Sequence, residues 1–175
     1  MNYATIKWTD IANGEGVRIS LFVSGCTRRC KNCFNAVAWD FDYGSPFTKE
    51  VQESILQGLE ADYISGLSLL GGEPLEPDNQ RALLPFVREA KKRFPQKNVW
   101  CYTGNTFDPE TGLLKEKEKN TEVTEELLSY IDVLVDGEFI EEKKNIRLKF
   151  RGSSNQRVLD VKKSKILKTP VFYLD

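Results

Sequence analysis

Four short apolar runs, separated by three helical patterns, constrain this chain to an α/β sheet. Residues 17–23 (Val-Arg-Ile-Ser-Leu-Phe-Val) alternate and are rich in Val, Ile, Leu and Phe, as a buried strand requires. Residues 64–70 form a second run, stopped by Gly71-Gly72; residues 98–103 form a third, halted at Gly104; residues 133–135 form a fourth before Asp136-Gly137. Between them, Thr48 is placed to cap a helix carrying Val51, Ile55 and Leu59 at helical spacing. Asp78 opens a second helix with Leu83, Val87, Ala90 and Phe94 on one face and Pro85 inside it, a candidate kink, and residues 121–131 supply a third. Strands alternating with helices predict parallel right-handed crossovers, hence an open or curled sheet.

The parallel order gathers chemistry. The C-terminal ends of parallel strands share one edge, where ligands of α/β proteins bind. Four polar segments fall at such ends: Gly25 with the loop after it, Gly71-Gly72-Glu73-Pro74, Tyr102-Thr103-Gly104 and Asp136-Gly137. The first contains Cys26, Cys30 and Cys33, three thiols at C-x3-C-x2-C spacing. Sulfur ligands suit an iron-sulfur cluster or zinc. A 4Fe-4S cube normally takes four thiolates, so three leave one iron open to an outside ligand. The rival is a structural zinc completed by Cys101. Cys101, however, stands alone inside an apolar strand, where a buried structural thiol is the expected role.

Composition narrows the chemistry. The 175 residues contain no histidine, which removes mixed cysteine-histidine zinc sites, histidine-dependent triads and the usual neutral-pH general base. A chain of this length is expected to fold as one domain spanning residues 1–175. The formal charge of −1 gives no global attraction to nucleic acid or anionic membrane. The beginning of the chain lacks the apolar core of a signal peptide and no run is long enough to span a bilayer, so a cytosolic protein is expected. In that reducing compartment clustered cysteines read as metal or redox ligands in preference to disulfides.

Two stretches stand apart. Residues 108–120 are strongly charged and predict a surface insertion, partly mobile. Between residues 141 and 170 ten bases stand against Glu141, Glu142 and Asp160, a pattern that fits a solvated basic surface with a frayed tail or a dock for an acidic partner. Within it, residues 146–150, 157–161 and 171–174 have the pattern of short strands.

The cysteine loop after one strand and Gly71-Gly72-Glu73-Pro74 after the next resemble the radical S-adenosylmethionine superfamily. Further runs narrow the resemblance: Asn13-Gly14-Glu15-Gly16 before Val17-Arg18, Cys33-Phe34-Asn35 with Trp39 beyond, Asp132 through Phe139, and Arg151-Gly152-Ser153-Ser154-Asn155-Gln156-Arg157. Together they resemble the activating proteins of anaerobic ribonucleoside-triphosphate reductase, a glycyl-radical branch of that superfamily, from about residue 13 to 160.

The resemblance implies a partial (incomplete) βα barrel, a mainly parallel, curled open sheet. It implies one 4Fe-4S cluster on Cys26, Cys30 and Cys33, with S-adenosylmethionine on the open iron. Gly71, Gly72, Glu73 and Pro74 would face the methionine end of that cofactor, with Tyr102 and Thr103 as further contacts. The family commonly has an aromatic residue just before the third cysteine to contact adenine; here Asn32 stands there, so Asn32, Cys33 and Phe34 are the candidates. The implied chemistry is reductive cleavage of S-adenosylmethionine and transfer of a radical to a glycine of the large reductase subunit. No catalytic acid or base is called for. The implied partners are that subunit and an external electron donor such as flavodoxin, and self-association is compatible. The alternatives are a pyruvate formate-lyase-type activating enzyme or another small radical enzyme, and a non-catalytic iron-sulfur or zinc module.

Overall fold

The computed structural model describes residues 1–175. Its elements are β1 (Asn2–Asp10), β2 (Val17–Val23), β3 (Ser45–Pro46), α1 (Lys49–Gly58), β4 (Ile64–Gly71), α2 (Pro77–Arg93), β5 (Asn98–Tyr102), β6 (Phe107–Asp108), β7 (Leu113–Leu114), α3 (Thr124–Ser129), β8 (Val133–Asp136), β9 (Arg157–Asp160), α4 (Val161–Leu167) and β10 (Phe172–Leu174). Eight strands form one open sheet in the order β10-β9-β8-β5-β4-β2-β1-β3, with β6 and β7 as a separate hairpin. The central strands β2, β4, β5 and β8 are mutually parallel. Antiparallel strands extend both sides, β1 and β3 beyond β2, β9 and β10 beyond β8, so the sheet is mixed.

Alternation along each strand divides the sheet into two faces. Ile19, Leu21, Leu67, Leu69, Val99, Cys101, Leu134 and Leu159 enter the main core with Leu83, Phe86 and Val87 of α2. Trp100, Val133, Val135 and Val158 form a smaller cluster from the intervening positions. This second face also holds Arg18, fully buried and paired with no carboxylate. Its guanidinium instead donates to the carbonyls of Glu15, Leu67 and Asn98 and to Ser68 Oγ at 2.7–3.1 Å. Burial lowers its pKa to about 10, so the cation persists at neutral pH.

Local chemistry explains the helices. Thr48 Oγ1 accepts from Val51 N–H at the start of α1. α2 starts with Pro77, which has no N–H to lose in the first turn, and ends on Lys91, Lys92 and Arg93, opposite the negative end of its dipole. Pro85 lies within it on an exposed position.

Several expectations need correction. The chain begins with a strand, β1, where none was expected; its outer positions are polar and its apolar alternation is weak. The third helix covers only Thr124–Ser129, shorter than 121–131. Residues 146–150 are turns and bends and not a strand, because no neighbouring strand offers a ladder; Phe150 takes a left-handed φ of 59°. The expected frayed tail contains α4, capped by Asp160, whose Oδ1 accepts from Lys163 N–H, and the paired strand β10. The 108–120 stretch is held in place: Leu114 is buried, Thr106 N–H donates to Glu116, and Lys119 reaches into the loop after β2. No helix is long and apolar enough to cross a membrane.

Candidate functional site

Because β2, β4, β5 and β8 run parallel, Val23, Gly71, Tyr102 and Asp136 bring their chain ends to one edge. The loop that follows β2 is fastened there by main-chain bonds: Gly25 N–H donates to Ala38 O, Gly72 N–H to Val23 O, and Glu73 N–H to Gly25 O, all within 2.8 Å. Such closeness requires glycine. A Cβ on Gly72 would stand 2.6 Å from Gly25 O and 2.8 Å from Ala38 O, and Gly71 has a φ of +110° with Val23 N only 2.5 Å from where a Cβ would be.

Two buried carboxylates brace this edge. Glu73, 3% exposed, accepts from Leu75 N–H, Thr103 Oγ1 and Gly104 N–H at 2.8–2.9 Å, tying the end of β4 to the end of β5. Burial pushes its carboxyl up, against the pull of those donors. Glu76, also 3% exposed, accepts from Thr27 N–H and Oγ1 and from Lys119 Nζ at 2.7–2.8 Å. Here burial also acts upward, but the bonds from Lys119 and Thr27 outweigh it and leave the carboxyl below its usual range. Asn79 of α2 donates to Ser24 O and Glu73 O, so helix, loop and strand end form one frame.

Above the frame lies a cavity of about 370 Å³. Cys26, Cys30 and Cys33 all line it, and so do Phe34, Gly71, Gly72, Glu73, Tyr102 and Thr103. Pro74 is buried behind the wall, and Asn32 is exposed in the loop with a φ of 58°, outside the lining. Cys101 is fully buried in the main core, on the face opposite its neighbour Tyr102, so it does not join the other three. Residues that the sequence does not mark as ligand contacts complete the lining: Asn13, Trp39, Leu148, Phe150, Gly152 and Gln156 among them. Trp39 and the Asn13 and Arg151–Arg157 runs carry the family resemblance but are not marked by it as site residues. Their signal was hydrogen-bonding side chains among glycines, which reads equally as turn chemistry. The turn is real: Gln156 Oε1 accepts from Gly152 N–H and Ser153 N–H, and its amide donates to Gly137 O.

Of the three bases on the cysteine loop, Arg28 is neutralised by neighbouring acids. Arg28 donates to Asn105 Oδ1 at 2.7 Å and stands 3.6 Å from Glu138 and 3.9 Å from Glu116. Burial pushes the Cys26 and Cys30 thiols up, Cys30 to about 11, with Glu138 adding to the Cys30 effect. Metal binding at these positions must therefore displace protons.

The donor set fits an iron-sulfur cube. No three His, Cys, Asp or Glu side chains converge closely enough to hold a single ion. Thiolates of a cube bind separate irons and need no such convergence, whereas the four ligands of one zinc do. Tyr102 contributes to the lining, while its hydroxyl is shielded from solvent and has no hydrogen-bond partner. The glycine walls of Gly71 and Gly72 leave close-fitting room beside the thiols.

Comparison with known proteins agrees. Residues 12–159 match the family model of a 4Fe-4S single cluster domain. The chain is 45% identical over 158 residues to the anaerobic ribonucleoside-triphosphate reductase-activating protein of Pasteurella multocida, covering 89% of this chain and 95% of that protein. It is 39% identical to the protein of that name from Escherichia coli K12, covering 90% of this chain and 97% of that one, and 38% identical to that of Enterobacteria phage T4, covering 90% and 93%. With a strand-end cavity lined by three thiols and this likeness along nearly its whole length, the chain belongs to the family of anaerobic ribonucleoside-triphosphate reductase-activating proteins.

Proposed function

We propose that this protein is a cytoplasmic activating enzyme, an oxidoreductase that uses a 4Fe-4S cluster and S-adenosylmethionine to place a glycyl radical on the large subunit of an anaerobic ribonucleoside-triphosphate reductase. The observation that carries it is the opening of three thiols, and only three, into the cavity that also receives the glycine-rich end of β4. When bound, the cluster and S-adenosylmethionine supply one-electron cleavage of the sulfonium to methionine and a 5′-deoxyadenosyl radical, which takes a hydrogen atom from the α-carbon of the target glycine.

The chain's own residues bind, orient and shield. Cys26, Cys30 and Cys33 hold three irons and leave the fourth to S-adenosylmethionine. Gly71 and Gly72 let the backbone approach the methionine end, with Glu73 and Pro74 fixing that turn. Tyr102 and Thr103, which line the cavity beside Glu73, supply further contacts. Asn32, Cys33 and Phe34 take the adenine side. The sheet serves as a partial (incomplete) βα barrel within a single domain, whose open edge admits a large partner. Walls of Leu148, Phe150 and Trp39 exclude water from a reaction that attacks whatever stands nearest. An external donor such as flavodoxin would supply the electron. Anaerobic reconstitution with iron and sulfide, then reduction with S-adenosylmethionine, tests this reading. Release of 5′-deoxyadenosine and a glycyl doublet on the reductase are expected; absence of both overturns it.

A further inference from the structure

Arg28 leaves the cysteine loop and reaches the turns after two other strands. Its Nη2 donates to Asn105 Oδ1 at 2.7 Å, beyond β5, and its Nη1 stands 3.6 Å from Glu138, beyond β8. The fold sets both partners in place. Asn105 is fully buried, and its Nδ2 donates to Thr103 Oγ1, which in turn donates to Glu73, so Oδ1 is the atom left to face Arg28. Glu138 is held through its main chain: Gly137 N–H donates to Asn105 O, and Asn155 Nδ2 to Glu138 O. The stem of Arg28 lies on Gly104, where a Cβ would stand 2.6 Å from both Cδ and Nε. Gly104 has no left-handed φ, so its missing side chain serves this approach and not a turn. From the other side, Glu138 brings Oε1 to 3.8 Å from Cys30 Sγ while Oε2 faces Arg28. One thiol of the cluster site thus meets a carboxylate, and the carboxylate meets a guanidinium that is only 21% exposed.

We propose that Arg28 is a positioning residue for the cluster: it fastens the Cys26–Cys30 bend to the ends of β5 and β8 and offsets the Glu138 carboxylate at Cys30, so that the pair tunes the cluster's reduction potential. The inference rests on the function proposed above, in that it needs a 4Fe-4S cluster on these thiols. Net charge is among the properties that set the potential of such a cluster. Reduction adds one electron and no proton, so a bare carboxylate beside a ligand disfavours it and a cation favours it. Arg28 therefore keeps the cluster reducible in spite of Glu138.

The test is a reductive titration with dithionite of the anaerobically reconstituted protein, without S-adenosylmethionine or the reductase, followed by electron paramagnetic resonance. Arg28→Met is expected to lower the ratio of reduced to oxidised cluster at a fixed potential about tenfold, a shift of about 59 mV for one electron. Glu138→Gln should shift the potential the opposite way, the double variant should return close to wild type, and Arg28→Lys, which keeps the charge, should stay near it. A residue that only stiffened the loop would not give opposed signs. The brace is read separately in the protein before reconstitution, where Arg28→Met should speed hydrogen exchange at the amides of Thr27 to Cys30. Shifts of one sign in both single variants, or none in either, overturn the inference alone, and so does unchanged exchange in Arg28→Met. If Arg28→Met retains no cluster, the Glu138→Gln shift toward easier reduction and the exchange rates decide. A wild-type protein that takes up no cluster overturns the proposed function, and the tuning with it.

Discussion

At the residue scale, the four cysteines separate by environment. Cys26, Cys30 and Cys33 are partly exposed on the cavity, while Cys101 is fully buried among Leu and Val side chains. Alanine at any of the first three is expected to abolish retention of iron after anaerobic reconstitution, and alanine at Cys101 to leave it intact, as measured by iron content per chain. Glu73→Gln places an amide N–H against the donors of Leu75, Thr103 and Gly104. It should destabilise the fold by about 1–3 kcal/mol, seen in chemical denaturation. Lys119→Met strands Glu76 without its cation in a nearly dry position and should cost about 3 kcal/mol. The Glu76 carboxyl is held below its ordinary value, so the stability it contributes is present above its unfolded pKa and is lost as pH falls through the lower folded pKa. The difference between wild type and Lys119→Met should therefore shrink on acidification, which denaturation measured across pH will show.

At the scale of elements, the parallel core was legible because each strand is a continuous apolar run bounded by glycine, and the helix faces because Leu83, Val87 and Ala90 recur at helical spacing. The gathering of strand ends followed from parallelism alone. What escaped was whatever depends on a distant partner. β1 earns its place as a strand from its ladder with β2, and not from its own pattern. Residues 146–150 alternate as a strand does but meet no neighbour, so they bend and line the cavity instead. The 108–120 stretch looks like a solvated insertion until Lys119 is seen to bridge Glu76 and Thr27, a contact across 92 residues of sequence for the threonine. Gly72→Ala tests the junction of elements: its methyl would collide with two main-chain oxygens, so the cysteine loop and the end of β4 must separate. Weaker cluster retention and a stability loss of about 1–3 kcal/mol are expected, measured by iron content and thermal unfolding.

At the scale of the whole molecule, a sheet left open at the edge where its parallel strands end presents three thiols and glycine walls in one cavity. One face of that sheet is sealed by helices and supplies the main core. The other carries a buried arginine and aromatic side chains. The division lets stability reside on one side and chemistry at the edge. A cluster with one open iron is the feature on which the proposed function depends, and electron paramagnetic resonance of the reduced, reconstituted protein before and after adding S-adenosylmethionine tests it most directly. The reduced-cluster signal should change shape on addition, as the open iron gains a ligand. A cluster whose signal is indifferent to S-adenosylmethionine would contradict it.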